Sequence, residues 1–368
     1  MIERLEGLDV ELDRVHVDPS ATTAGAGVAF ADDVRFTIER LVVPLKDDSY
    51  TLELHDARVS TSAGLVNVGS LAYEPRASRE AYLADRRPLG DRVSITTGAV
   101  GVEGVEFDGL VADLDLVAQK MQIEKLAVDV LTDRHKVKKP RRGRPGMPHD
   151  FFRDQSRRIS LDELKVNAGS MRFAERARGA ERPGQIRFDS VTVDARNVTN
   201  DPARMSREKP ATARIRALFM RSAPVDVRLR MPLLEPGPTM SYSGRVGRLE
   251  AAALNEMTAP LVGLNLARGQ VDGVTFEVDI GTHRASGVVA GTYRDLEMQL
   301  VDKNTGNRSL GQRLKSAAMK LGIRQTNVGA PGEPPKVGTI DYQIESDAAF
   351  FKTFWKALQD GLMDLVKK

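Results

Sequence analysis

The chain has 368 residues, of which 41% are hydrophobic and 29% charged, and its formal net charge is +3. That composition excludes wholesale disorder and does not mark the whole chain as a nucleic-acid binder. There is no cysteine, which excludes disulfides, thiolate metal sites and thiol catalysis.

From its start, MIERLEGLDVEL, the chain reads as strand. One template then recurs: apolar, any, apolar, polar, any, apolar, any, apolar. It fits Val10, Leu12, Asp13, Val15 and Val17, and again Leu52, Leu54, His55, Ala57 and Val59. Further copies are Met121, Ile123, Glu124, Leu126 and Val128; Ile159, Leu161, Asp162, Leu164 and Val166; and Ile186, Phe188, Asp189, Val191 and Val193. Val34, Phe36, Leu41 and Val43 fit with one residue inserted. Period-two alternation gives a strand one apolar face. The step of three in the middle flips the phase once, which a strand absorbs only through a bulge, bend or turn. Each copy therefore predicts two short arms joined by a break, both turning apolar side chains the same way. Stacked copies predict a mainly β fold, an elongated and curved antiparallel groove.

Past the last copy, Arg248 to Met257 predicts a short helix stopped by Pro260. Val274, Phe276, Val278 and Ile280, then Leu296, Met298 and Leu300, alternate with polar residues as one-sided strands. Leu310, Leu314, Ala317, Ala318 and Leu321 share a helical face, with Gly322 as C-terminal cap. From Asp347, a plausible N-cap, to Lys368 the chain predicts an amphipathic helix with Phe351, Trp355, Leu358, Leu362 and Leu365 on one face, widened by Phe350 and Phe354. Residues 134–149 and 327–336 are Pro-rich breaks, and 174–185 and 199–212 read as loops. The expected division is a β-repeat segment over 1–133, a basic loop over 134–149, a groove segment with short helices over 150–326, and a closing strand and helix over 327–368.

Two groups suit a membrane surface. Arg141, Arg142 and Arg144 lie in a cationic run with Arg134, Lys136, Lys138 and Lys139. Near an anionic leaflet each cation contributes about 1 kcal/mol; the competing reading is a solvated, self-repelling loop. Phe351, Phe354 and Trp355 lie beside Lys352 and Lys356, a composition of interfacial helices. The same face could instead cap the end of the sheet. The five histidines, His16, His55, His135, His149 and His283, have no metal-ligand spacing. No nucleophile elbow, Walker loop or zincin motif occurs. No catalytic role, metal or cofactor is therefore assigned.

Four stretches carry a family likeness: YTLELHDARVSTSAGLVNVGSLAYEP (50–75); the run from VDVLTDRHKVKKP through ISLDELKVNAGSMRF to RPGQIRFDSVTVDARNVTND (128–201); PLVGLNLARGQVDGVTFEVDIGTHRASGVVAGTYRDLEMQL (260–300); and GTIDYQIESDAAFFKTFWKALQDGL (338–362). Together they resemble the AsmA-like envelope proteins, a group that includes the TamB and YhdP type. The resemblance implies a β-groove related to bridge-like lipid-transfer proteins, a periplasmic location tethered to the inner membrane by an N-terminal helix, and movement of phospholipid toward the outer membrane. No stretch here approaches the roughly 18 apolar residues of a spanning helix, so the expectation is either a chain soluble as written or a tether lying outside this sequence.

The function expected is a lipid holder or conduit without chemistry, its partners an acyl lipid and a membrane surface but not nucleic acid. The candidate wall residues are Val10, Leu12, Leu52, Leu54, Met121, Ile123, Ile159, Leu161, Ile186, Phe188, Phe276 and Val278. The alternative is an envelope scaffold acting through protein partners, its apolar faces packed against one another; an enzyme on a β scaffold is the weakest reading.

Overall fold

A computed structural model describes residues 2–15, 31–45, 49–85, 90–136, 148–235, 239–304, 322–329, 333–344 and 350–368. The chain is mainly β, one large sheet of nineteen strands among the described residues, with short helices at its margins. Hydrogen bonding runs along the sheet almost in sequence order. β1 (Arg4–Glu6) and β2 (Asp9–Val15) lie end to end against β3 (Ala31–Leu45), which pairs with β4 (Tyr50–Ser60). β5 (Leu65–Val68) and β6 (Ser70–Pro75) share the next row, followed by β7 (Arg92–Thr97) with β8 (Val100–Glu103), then β9 (Leu116–Glu124) with β10 (Ala127–Asp133). β11 (Ile159–Arg176), β12 (Gly184–Thr199), β13 (Ala211–Phe219), β14 (Ala223–Met231) and β15 (Met240–Val246) follow singly. β15 and the short β16 (Leu249–Glu250) share β17 (Leu264–Ile280), which leads to β18 (Arg284–Leu300) and the last strand, β19 (Val337–Gln343).

The sheet is mixed, not purely antiparallel: β11 runs parallel to both β9 and β10. Residues 134–158 carry the chain from one end of that row back to the other, as a parallel neighbour requires.

The breaks that the template predicts are present in the backbone. Arg14, Asp56, Lys125 and Ser190 stand at the fifth position of four copies and all have φ between 48° and 53°. An L-residue pays roughly 1–2 kcal/mol for that left-handed conformation, which interrupts the regular alternation of the strand; the pairing register stays unbroken past Asp56 and Lys125 and shifts only beside Ser190. In the copy at 159–166 the break falls later, at Ala168 (φ 51°).

Most of these breaks lie side by side. Gly7 (φ 61°) stands opposite Glu39, and Glu39 opposite Asp56. Gly69 N donates to His55 O at 2.9 Å, Gly98 N to Glu124 O at 2.7 Å and Lys125 N to Asn167 O at 2.8 Å. The register between β11 and β12 shifts at Gly169, beside Ala168, with Ser190 across from it. A single crease thus crosses eight rows: β1/β2, β3, β4, β5/β6, β7/β8, β9/β10, β11 and β12. Valine at position 190 would add a β-branched clash to the left-handed turn; Ser190→Val is expected to destabilise by about 1–2 kcal/mol, read as a lower urea midpoint at unchanged m-value.

Helices that the sequence reading passed over cap the sheet: α1 (Arg79–Ala84), whose N-cap Ser78 accepts from Ala81 N at 3.1 Å, α2 (Phe107–Asp113) and α3 (Pro148–Arg153). The helix expected over 248–257 starts later. β16 and a 3-10 turn (Ala251–Leu254) precede α4 (Asn255–Val262), which contains Pro260 instead of ending before it. Gly263, at φ 68°, is the stop. The loop expected over 174–185 is shorter, because β11 and β12 run into it from both sides. The helix over 310–321 and the cap Asp347 lie outside the described residues; the C-terminal helix, α5, spans Phe350–Val366.

Most of the buried interior lies in the C-terminal part, where β13–β19 and α5 enclose one cluster including Tyr242, Phe276, Val278, Val289, Ile340 and Leu365. Gly338 and Gly361 allow the close approach of α5: a Cβ on Gly338 would stand 2.1 Å from Gly361 O, and one on Gly361 would stand 2.5 Å from Ile340 Cγ1. Thr339 N donates to Asp364 Oδ2 at 3.0 Å and Asp341 N to Asp360 Oδ2 at 2.8 Å. Carboxylates of the helix thereby occupy outward N–H groups of β19, the donors that an edge strand otherwise presents to solvent.

Candidate functional site

Cross-strand register assembles the template's apolar positions into two bands, one on each side of the crease. In the first, Leu41 and Val43 face Leu54 and Leu52, which face Leu71 and Tyr73. Tyr73 faces Ile95, Ile95 faces Val128, and Val93 faces Val130. Val128 and Val130 face Met171 and Phe173, these face Phe188 and Ile186, and Phe188 ends against Phe219 with ring centroids 5.3 Å apart.

The second band begins at Val10 and Leu12, opposite Phe36 and Val34. Through Val59, Val66 and Val102 it reaches Met121 and Ile123, which face Leu164 and Val166. Leu164 and Val166 face Ala195 and Val193. It continues through Ile215 and Val227, and through Leu229, Tyr242 and Val278, to Ile340. Each row steps by three between bands, for example Leu54 to Ala57 and Ile38 to Leu41. In a regular strand that step would put the bands on opposite faces; the left-handed residue between them is where the alternation is interrupted.

Exposure changes along this surface. Val10 and Leu12 are 53% and 46% exposed. Leu52, Leu54, Met121, Ile123, Ile159, Leu161, Ile186 and Phe188 are half-buried. Phe276 and Val278 are 5% and 2% exposed, inside the C-terminal core and not on an open wall. The twelve candidates therefore divide into an exposed end, a half-covered middle and a closed end. Ile159 and Leu161 continue the second band at its margin, facing Leu116 and Ala118. The template does not mark Tyr73 and Ile95, which sit in six-residue strands too short to complete it, or Met171, which lies beyond the break in β11.

α5 closes the far end. Phe354 stacks on Tyr242 with ring centroids 3.8 Å apart, and Tyr242 Oη donates to Phe354 O at 3.0 Å. Burial pushes the Tyr242 phenol above its ordinary range. Phe354 is half-buried and packs against the C-terminal core. Trp355 is half-buried, and the Phe351 side chain lies outside the described part, as do Arg141, Arg142 and Arg144. Of the basic run, Arg134 pairs with Glu175 at 2.8 Å. Lys136 is buried and donates to Tyr82 O at 2.6 Å and Asp85 O at 2.5 Å, its ammonium 4.4 Å from the Tyr82 ring centroid. Burial, with the Asp91 and Asp133 carboxylates, pushes the Tyr82 phenol up to about 12. This knot holds α1 against the end of the first band, where Tyr82, Leu131 and Ala174 form a small core.

Beside the second band, Asp33 is 3% exposed and accepts from Ser62 N at 3.0 Å, Arg35 Nε at 2.6 Å and Ser60 Oγ at 3.2 Å. The Ser62 backbone donor is the main reason its carboxyl sits far below the ordinary range. A depressed carboxylate contributes stability above its unfolded value, about pH 4, and loses it as pH falls through the lower folded value. The turn after β4 is therefore expected to stay closed at pH 4. In Asp33→Asn the Ser62 amide should exchange faster at every pH; equal exchange in both proteins would contradict this.

A depression of about 780 Å³ lies over charged residues of both signs, including Arg196, Arg214, Arg228, Asp194 and Glu277. Arg214 is held by Asp226 at 2.6 Å. Among the described residues no group of three or more His, Asp or Glu is placed to hold a metal ion, and no helix is long and apolar enough to cross a membrane. Comparison with known protein families and with curated proteins finds no match.

Proposed function

We propose that the chain holds acyl chains, of phospholipid or another lipid, in the trough between the two apolar bands, as a non-enzymatic component of a cell envelope. One observation carries the reading: the middle of the first band, Leu52, Leu54, Tyr73, Ile95, Val128, Met171 and Phe188, belongs to none of the three buried clusters. These side chains are apolar, contiguous and only half-buried, and a one-sided sheet of that kind needs a partner layer or a nonpolar ligand. Each methylene laid there contributes about 0.8 kcal/mol, so ten would contribute about 8 kcal/mol before ordering costs. The headgroup stays in water, and selection is by the tail. The likeness to AsmA-like proteins, with their periplasmic setting beside a membrane, agrees with this reading.

Native mass spectrometry after gentle purification should find bound lipid, and delipidated protein should take up a fluorescent fatty acid saturably. Protein that takes up neither fatty acid nor phospholipid overturns the proposal. A second reading, an envelope scaffold, is favoured by the closed C-terminal core; it predicts partner capture with no lipid uptake.

A further inference from the structure

The two ends of the sheet are treated differently. At β19, α5 supplies Asp360 and Asp364 to outward N–H groups. At the other end every residue of β1 and β2 is exposed, and among the described residues β3 is their only strand partner. The exposed residues include Leu5, Val10, Leu12 and Val15, at 44–53% exposure. A strand with apolar side chains and a free backbone ladder is a template for another strand.

Charge selects the occupant. Residues 2–15 hold five acids (Glu3, Glu6, Asp9, Glu11, Asp13) against Arg4 and Arg14, a net charge of −3. Along β2 the acids alternate with Val10 and Leu12, so Asp9, Glu11 and Asp13 share one face and the apolar pair the other. A second copy pairing antiparallel about a twofold axis would set these carboxylates across from one another, which is destabilising. Head-to-tail growth is blocked at β19 by α5.

We propose that the β1/β2 edge takes up an extended polypeptide segment in which apolar residues alternate with lysine or arginine. Its apolar side continues the second band and its cations meet Asp9, Glu11 and Asp13. Val10 and Leu12 adjoin the second band, while Leu5 meets Leu41 at the start of the first, away from its uncovered middle.

The test uses the full chain and an end-capped seven-residue peptide of alternating valine and lysine. Addition of the peptide should slow amide exchange over residues 9–15. Asp9→Lys/Glu11→Lys/Asp13→Lys should weaken binding about tenfold or more and take the valine–glutamate peptide instead. N-methylation along one peptide edge should be tolerated and along both edges should abolish binding, the signature of strand addition. Absence of protection by any peptide overturns the proposal. So does protection of β2 by self-association or by phosphatidylcholine or phosphatidylglycerol vesicles in the peptide's place. The triple lysine variant retains fatty-acid uptake, so this proposal and the lipid reading fail separately.

Discussion

Gly338→Leu is expected to detach α5 and lower the unfolding free energy by about 4 kcal/mol or more. The glycine has no room for a side chain: its Cβ would meet Gly361 O at 2.1 Å, Leu365 N at 2.7 Å and Leu365 Cβ at 2.9 Å. Two of those neighbours are backbone atoms of the helix, so relief requires moving α5 as a body. Moving it uncovers Tyr242, Ile340 and Val289, and removes Phe354 and Leu365 from the core. Truncating even one such side chain typically costs 2–5 kcal/mol. It also frees the N–H groups of Thr339 and Asp341, each losing about 1 kcal/mol of hydrogen bonding. The readouts are the urea midpoint and fluorescence of Trp355, the single tryptophan. An unchanged midpoint with unshifted emission would show that α5 does not depend on this contact.

Leu54→Asp combined with Phe188→Asp should reduce fatty-acid uptake by about 100-fold, at a cost to the fold of about 2–4 kcal/mol. Both side chains are half-buried and Phe188 packs against Phe219, so the apo protein also loses packing, and uptake is compared at a temperature where both proteins are folded. A tail lying over them would desolvate two carboxylates without partners, which costs several kcal/mol; about 2.7 kcal/mol already corresponds to 100-fold. Glu277→Gln, on the charged depression, serves as the control and should leave uptake unchanged. Equal uptake by the double variant and the parent would move the lipid away from the first band.

The local part of this architecture was legible in the sequence. The step of three marks where the chain turns left-handed at Asp56, Lys125 and Ser190. The residues there are polar and exposed, so the break is visible as an interruption of apolar alternation. Its alignment into one crease was not legible, because register depends on loop lengths and on partners far away in the chain. The parallel pairing of β11 with β9 and β10 is a non-local contact that the composition of the basic loop at 134–149 does not announce. Phe276 and Val278 show the same limit from the other side. Alternation shows that a strand has an apolar face, but not what covers that face; here the cover is α5, some eighty residues onward. α1–α3, one or two turns each, are too short for a 3.6-residue period to register.

The crease also sets a length. Hydrogen-bonded rows repeat about every 4.8 Å, so the seven steps from β1/β2 to β12 extend roughly 33 Å. The hydrocarbon core of a bilayer is about 30 Å thick, roughly two acyl tails placed end to end. On the lipid-holding proposal, each row along the crease would add one further step of length to the trough. A homologous chain lacking the β5–β8 rows would lose about 10 Å of reach with no change in the width of the furrow, so such sheets can be lengthened or shortened by duplication without redesigning their walls.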